Sequence, residues 1–155
     1  MRTPCTYDYA LIRVVPRVER EEFMNVGAIV SCPAQDFLGA RIEVDRARLA
    51  ALDPTLDHDA LDRHLAAIPV ICGGGPAAGA LGRLSSRERF RWLTAPRSAI
   101  VQCSPAHTGR CDDPQRLLEH LVATMVRPPR PGTKGTGTVL SYAPFAPTPP
   151  PWRDP

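Results

Sequence analysis

A chain of 155 residues with 43% apolar side chains can bury one core and gives no reason to divide it into two folded domains. The net charge of +3 is unevenly spread: residues 1–126 carry 15 Arg against 15 Asp or Glu, while residues 127–155 carry four basic residues against Asp154. A neutral folded part makes nucleic acid an unlikely partner, and no run approaches the roughly 18 apolar residues of a membrane span.

The opening MRTPCTYDYA has neither the charged start nor the apolar run of a secretory leader, and the five cysteines form no Cys-x-x-Cys pair. Free thiols in a reducing cytoplasm are the expectation, with no cofactor.

In chain order, YDYALIRVV (7–15) is aromatic and β-branched and stops at Pro16, which predicts a strand. NVGAIVSC (25–32) reads likewise. Both are apolar on two faces, so both belong near the middle of a sheet. Pro33-Ala34-Gln35-Asp36 supplies turn chemistry, and FLGARIEV (37–44) alternates, with Leu38, Ala40, Ile42 and Val44 inward, which predicts a hairpin whose second strand has one wet face.

A short helix is predicted over 45–52 with Asp45 as N-cap, then a longer one from Asp57 with a stripe of Leu61, Leu65 and Ile68 that Pro69 should end or kink. GGGPAAG (73–79) reads as a loop; without the lysine of a phosphate-binding loop it is not a nucleotide site. Ser85-x-x-Glu88 is a capping box opening a helix to about residue 94. The strand SAIVQCS (98–104) follows, then a turn, then a helix with Asp113 as N-cap, Pro114 at its first position and a core stripe of Leu117, Leu118, Leu121, Val122 and Met125. Nine of the eighteen prolines fall in the last 29 residues, so residues 1–126 are expected to form a single α+β domain and 127–155 a proline-rich tail that does not fold.

The order is β-β-β-α-α-α-β-α. Grouped strands and helices predict a mainly antiparallel sheet of about four strands with helices on one face.

The phrases YDYALIRVVP, EEFMNVGAIV and RFRWLTAPRSAIVQCSP, with HTGRCDDP shortly after, resemble the bacterial family catalogued as domain of unknown function 3037 over roughly residues 5–126. The resemblance implies this order of elements but no particular activity. Members are often encoded beside a kinase-like protein of the HipA class, which implies a protein partner.

Candidate site residues come from polar groups in unexpected places. Arg13 interrupts an apolar strand, where a charge is costly unless paired; Glu22 is the expected mate, with Asn25 beside it in the phrase Glu-x-x-Asn-Val-Gly. His107-Thr108-Gly109-Arg110 lies between the last strand and the last helix, where His107 and Arg110 could meet an anion. Arg83, Arg87 and Arg91 form a basic stripe, read as a solvated or partner-facing surface before a phosphate grip. Cys103-x3-His107-x3-Cys111 has zinc-like residue types but no fourth ligand, so no metal is expected.

A non-catalytic binding or regulatory accessory of another cytosolic protein, a HipA-like kinase among the candidates, is the first reading. A small enzyme or anion-binding domain using Arg13, Glu22, Asn25, His107 and Arg110 is the second; that reading requires the five to converge in one pocket. A nucleic-acid-binding accessory is the third.

Overall fold

The computed structural model describes residues 3–131. The tail predicted over 127–155 therefore lies mostly outside the described residues. Strands β1 (Cys5–Val14), β2 (Met24–Cys32) and β3 (Phe37–Ile42) are followed by helices α1 (Arg46–Leu52), α2 (His58–Gly73) and α3 (Ser86–Thr94). Then come β4 (Val101–Cys103), β5 (His107–Cys111) and α4 (Pro114–Leu121). All strand pairings are antiparallel, and β3, β2 and β1 lie side by side in that order. The outer side of β1 is shared: β4 pairs with Ile12–Val14 and β5 with Cys5–Tyr9. The α+β class and the central positions of the first two strands are as expected.

The predicted single helical face needs correction. Ile12, Val14, Met24, Val26 and Ile29 point to one side, where they bury Leu49, Leu61, Leu65, Ile68, Phe90 and Leu93 of α1–α3. Ala28 and Val30 point to the other, against Leu118, Leu121, Val122 and Val126 of α4 and its extension. Strands apolar on both faces require cover on both, and α4 supplies the second roof.

Asp45, Ser85 and Asp113 cap as expected, and Asp57 is itself the cap of α2, their side-chain oxygens accepting from backbone amides two or three residues on. Glu88 completes the box by accepting from the Ser85 amide at 2.8 Å. Pro69, however, does not end α2, which runs to Gly73 because Ile71 and Cys72 are buried beyond it. The loss of one helical hydrogen bond is outweighed by burying those two side chains.

The glycine-rich run is a tight connector of 3-10 turns over Pro76–Arg83. A Cβ on Gly82 would stand 1.8 Å from the Gly75 carbonyl oxygen, so glycine there answers a backbone contact.

After α4 the chain continues as a wider π turn over Val122–Val126. The extra residue per turn rotates the stripe by one position: Val126 is buried and Met125, predicted inward, is exposed. Arg127 then donates to Glu43 at 2.6 and 2.8 Å, and Arg41 reaches both Glu43 and Glu119 at 3.2 Å. This network ties the end of the helical roof to the chain just past β3.

Candidate functional site

The fifth strand, β5, was not predicted, and its arrangement with β4 organises the candidate site. Val14 faces Val101 and Tyr9 faces His107, so the edge chain spends one residue more than β1 between those pairs. β4 and β5 are thus one edge strand interrupted by a bulge at Pro105 and Ala106. Ser104, buried beside it, holds the break: its amide donates to the Leu11 carbonyl, and its hydroxyl oxygen accepts from the Leu11 amide, both at 2.8 Å.

The ladder also orients the outer edge. Ile100 accepts from the Val15 amide at 2.7 Å and Ser104 donates to Leu11, so the main chain of Ile100, Gln102 and Ser104 faces β1. By alternation, the amides and carbonyls of Val101 and Cys103 face away from β1. Among the described residues no strand pairs with that side.

Clefts flank this edge on both faces. On the side of α2 and α3, a cleft of about 460 Å³ is lined by Ile68, Ile71, Leu93, Ile100 and Val101, with His64, Trp92 and Arg97 at its polar margin. Trp92 and Ile100 are 40% and 41% exposed, which is high for large apolar groups. The Arg97 guanidinium lies 4.1 Å over the Trp92 ring and donates to the Trp92 carbonyl. On the other side a second cleft of about 580 Å³ is lined by Arg13, Phe23, Glu21, Ser98 and Gln102, and Arg97 borders it too.

Arg13 does not meet Glu22. That carboxylate pairs with Arg20 at the surface, and the Arg13 guanidinium lies 4.2 Å over the Phe23 ring. Arg13 makes no ion pair among the described residues, and its Nε is buried without a hydrogen-bond partner. Cross-strand register sets it beside Asn25 on one flank and Gln102 on the other. Asn25 donates to the Met125 carbonyl at 3.2 Å, while its Oδ1 is also buried and unpartnered. The costly charge is accommodated by an aromatic face and a cleft instead of a carboxylate.

Arg13 and Asn25 are therefore brought together, but the five predicted residues do not converge. His107 stacks on Tyr9, ring centroids 5.2 Å apart, on the α4 face, about 13 Å along β1 from Arg13. Arg110 is three residues further along the same strand, which turns it to the opposite face from His107. A turn would have let the two meet; a strand separates them. Gly109 lies between them because Tyr7, its cross-strand partner, covers it: a Cβ there would stand 2.5 Å from the Tyr7 hydroxyl.

The extra residue of the bulge puts Cys103, which faces the α1–α3 side with Ile12, on the opposite face from His107 and Cys111, although four residues of unbroken strand would have aligned Cys103 with His107. Burial pushes the Cys103 thiol up to about 11 although Arg97 and Arg13 pull the other way, and pushes Cys111 to about 11 and Cys72 to about 12. Thiols held protonated at neutral pH are poor nucleophiles. Among the described residues no cluster of His, Cys, Asp and Glu suits a metal ion.

In the basic stripe, Arg87 and Arg91 are exposed on α3, whereas Arg83 precedes the helix across an extended Leu84. Arg89 is structural, donating to the Leu84 carbonyl at 2.6 Å and the Cys72 carbonyl at 3.4 Å.

Phe23, Trp92, Arg97, Gln102 and Ser104 are the site residues that sequence reasoning missed. A Trp and an Arg five residues apart at a helix end are a weak signal of a stacked pair, and nothing local announces the bulge.

No single helix among the described residues is long and apolar enough to cross a membrane. No curated protein and no solved structure matches the chain significantly. A family profile described as "Protein of unknown function (DUF3037)" matches residues 9–126. That span holds all but the first residues of β1 and every later strand and helix, and by it the chain belongs to the DUF3037 family.

Proposed function

We propose that this protein is a non-catalytic binding domain that receives a segment of another protein along the outer edge of β4. The observation that carries this reading is the main chain of Val101 and Cys103, which no strand pairs among the described residues, set between two clefts that expose Trp92, Ile100 and Phe23. An open strand edge offers main-chain hydrogen bonds to an extended segment, and flanking clefts take its alternate side chains. The protonated thiols and the dispersal of His107 and Arg110 weigh against the enzyme reading. The neutral charge of residues 1–126 weighs against nucleic acid.

A HipA-like kinase, the partner class implied by the family resemblance, is the first protein to test, and a cytoplasmic encounter is part of the proposal. The decisive experiment is a stoichiometric pull-down from the native host with the full chain, the chain lacking residues 127–155, and Val101→Pro. Loss of the partner in Val101→Pro supports the edge. Retention by that variant with loss on removing the tail assigns binding to the tail and overturns this reading.

A further inference from the structure

The two clefts differ in chemistry, and β4 runs between them. Val101 and Cys103 turn their side chains toward the α1–α3 core, where the neighbouring cleft is walled by Ile68, Ile71 and Leu93. Arg13 and Gln102 turn the other way, into the cleft of Phe23. An added strand beside β4 would follow the same alternation, sending successive side chains to opposite faces of the sheet. One set would enter the apolar cleft and the other would approach Arg13.

Charge decides what the second set should be. Arg13 and Arg97 both border the Phe23 cleft, and both guanidiniums rest on aromatic rings and not on carboxylates. Glu21 is the one acidic residue among those lining that cleft, and no ion pair joins it to either arginine among the described residues. Arg97 spends one donor on the Trp92 carbonyl, and the remaining edge donors of the two ring-stacked guanidiniums suit a planar acceptor such as a carboxylate.

From this we infer that the preferred occupant of the β4 edge is an extended protein segment that alternates large apolar and acidic residues. Its apolar side chains fill the cleft beside Trp92, and its carboxylates bind Arg13 and Arg97. This inference rests on the edge-binding reading above and specifies the chemistry of the partner. Nucleic acid is the less suitable polyanion, because the larger apolar wall and the outward amides of β4 match a peptide main chain.

The test is fluorescence anisotropy of two labelled peptides, one alternating leucine with glutamate and the other leucine with lysine, titrated with the full chain. The variants are Arg13→Gln, Arg97→Gln, Val101→Pro and the control Val101→Ala, each first checked for native circular dichroism. The leucine–glutamate peptide should bind and the lysine peptide should not, and each arginine substitution should weaken binding roughly tenfold, the equivalent of one charge-assisted hydrogen bond. Val101→Pro should abolish binding, while Val101→Ala, which keeps the amide and only trims the wall of the apolar cleft, should weaken it far less.

Equal binding of both peptides, indifferent to the arginine substitutions yet lost in Val101→Pro, would overturn the acidic pattern and leave edge binding standing. Binding unaffected by Val101→Pro would overturn both, as would failure of the leucine–glutamate peptide to bind while Val101→Pro still captures the host partner. A labelled single-stranded oligonucleotide bound more tightly than the acidic peptide, and lost in Arg13→Gln, would assign the cleft to nucleic acid and overturn the inference.

Discussion

Along β3 the sheet ends in a six-residue strand covered on one face by α2 and fastened on the other by Arg41, Glu43, Glu119 and Arg127. Along β4 and β5 it ends in a strand broken by a bulge, with clefts on either face and arginines that rest on rings. Both edges carry charge, but the first spends its charges on one another and the second sets its arginines over aromatic rings. An edge strand with unpaired amides is a hazard that proteins usually blunt. Here the β3 edge is blunted by an ion network, whereas the β4 edge keeps its outward main chain beside exposed Trp92 and Ile100. That difference is what the proposal of edge binding at β4 rests on.

Proline substitutions break this comparison most severely. Gln102→Pro removes an inward ladder amide and should cost on the order of 3 kcal/mol, whereas Val101→Pro removes an outward one and should cost far less. Urea melts of the two variants measure the contrast, and equal losses would mean that the outer side of β4 is not free. Ser104→Ala strips the acceptor from the partly buried Leu11 amide and should destabilise by about 1 kcal/mol. The accompanying loss of hydrogen-exchange protection should be confined to residues near the bulge.

Arg13→Ala sharpens the comparison in the opposite sense. A buried ion pair would make this substitution severe by stranding a carboxylate. With Phe23 as the partner, the expected loss is about 0.5–1 kcal/mol, read from thermal melts.

The smallest expected effect belongs to the β3 network. Hydrogen bonds from Arg127 hold the Glu43 carboxyl below its ordinary value of 4.5, with Arg41 adding to the effect. A carboxylate whose folded pKa is depressed contributes stability that is present above 4.5 and lost as pH falls through the folded value. Thermal melts from pH 6 down to 3 should therefore show a slightly shallower acid loss for Arg127→Ala than for the parent. Identical curves would remove Glu43 from the acid transition.

Much of the fold was legible in the sequence because its signals are local. The caps at Asp45, Asp57, Ser85 and Asp113 need only residues within one turn, and the alternation of Leu38, Ala40 and Ile42 needs only neighbours in the chain. The site was less legible. HTGRC carries no apolar alternation, since an edge strand exposed on both faces has none to show, and so it read as a turn. That error alone brought His107 and Arg110 together on paper. Arg13 stood out correctly as an anomaly, but its mate was assigned by charge when the nearest suitable surface was a ring.

Apart from β5, local signals in the chain settled which segments are strands or helices, where most helices start, and that the first two strands are apolar on both faces. Periodicity and capping are properties of residues close along the chain. Only the tertiary structure decided that α4 supplies the second roof, that β4 and β5 share one side of β1, and that Arg13 and Arg97 border a single cleft. Those outcomes depend on pairing between segments roughly ninety residues apart, such as Leu11 with Ser104, and no local pattern encodes which partner a strand edge will find.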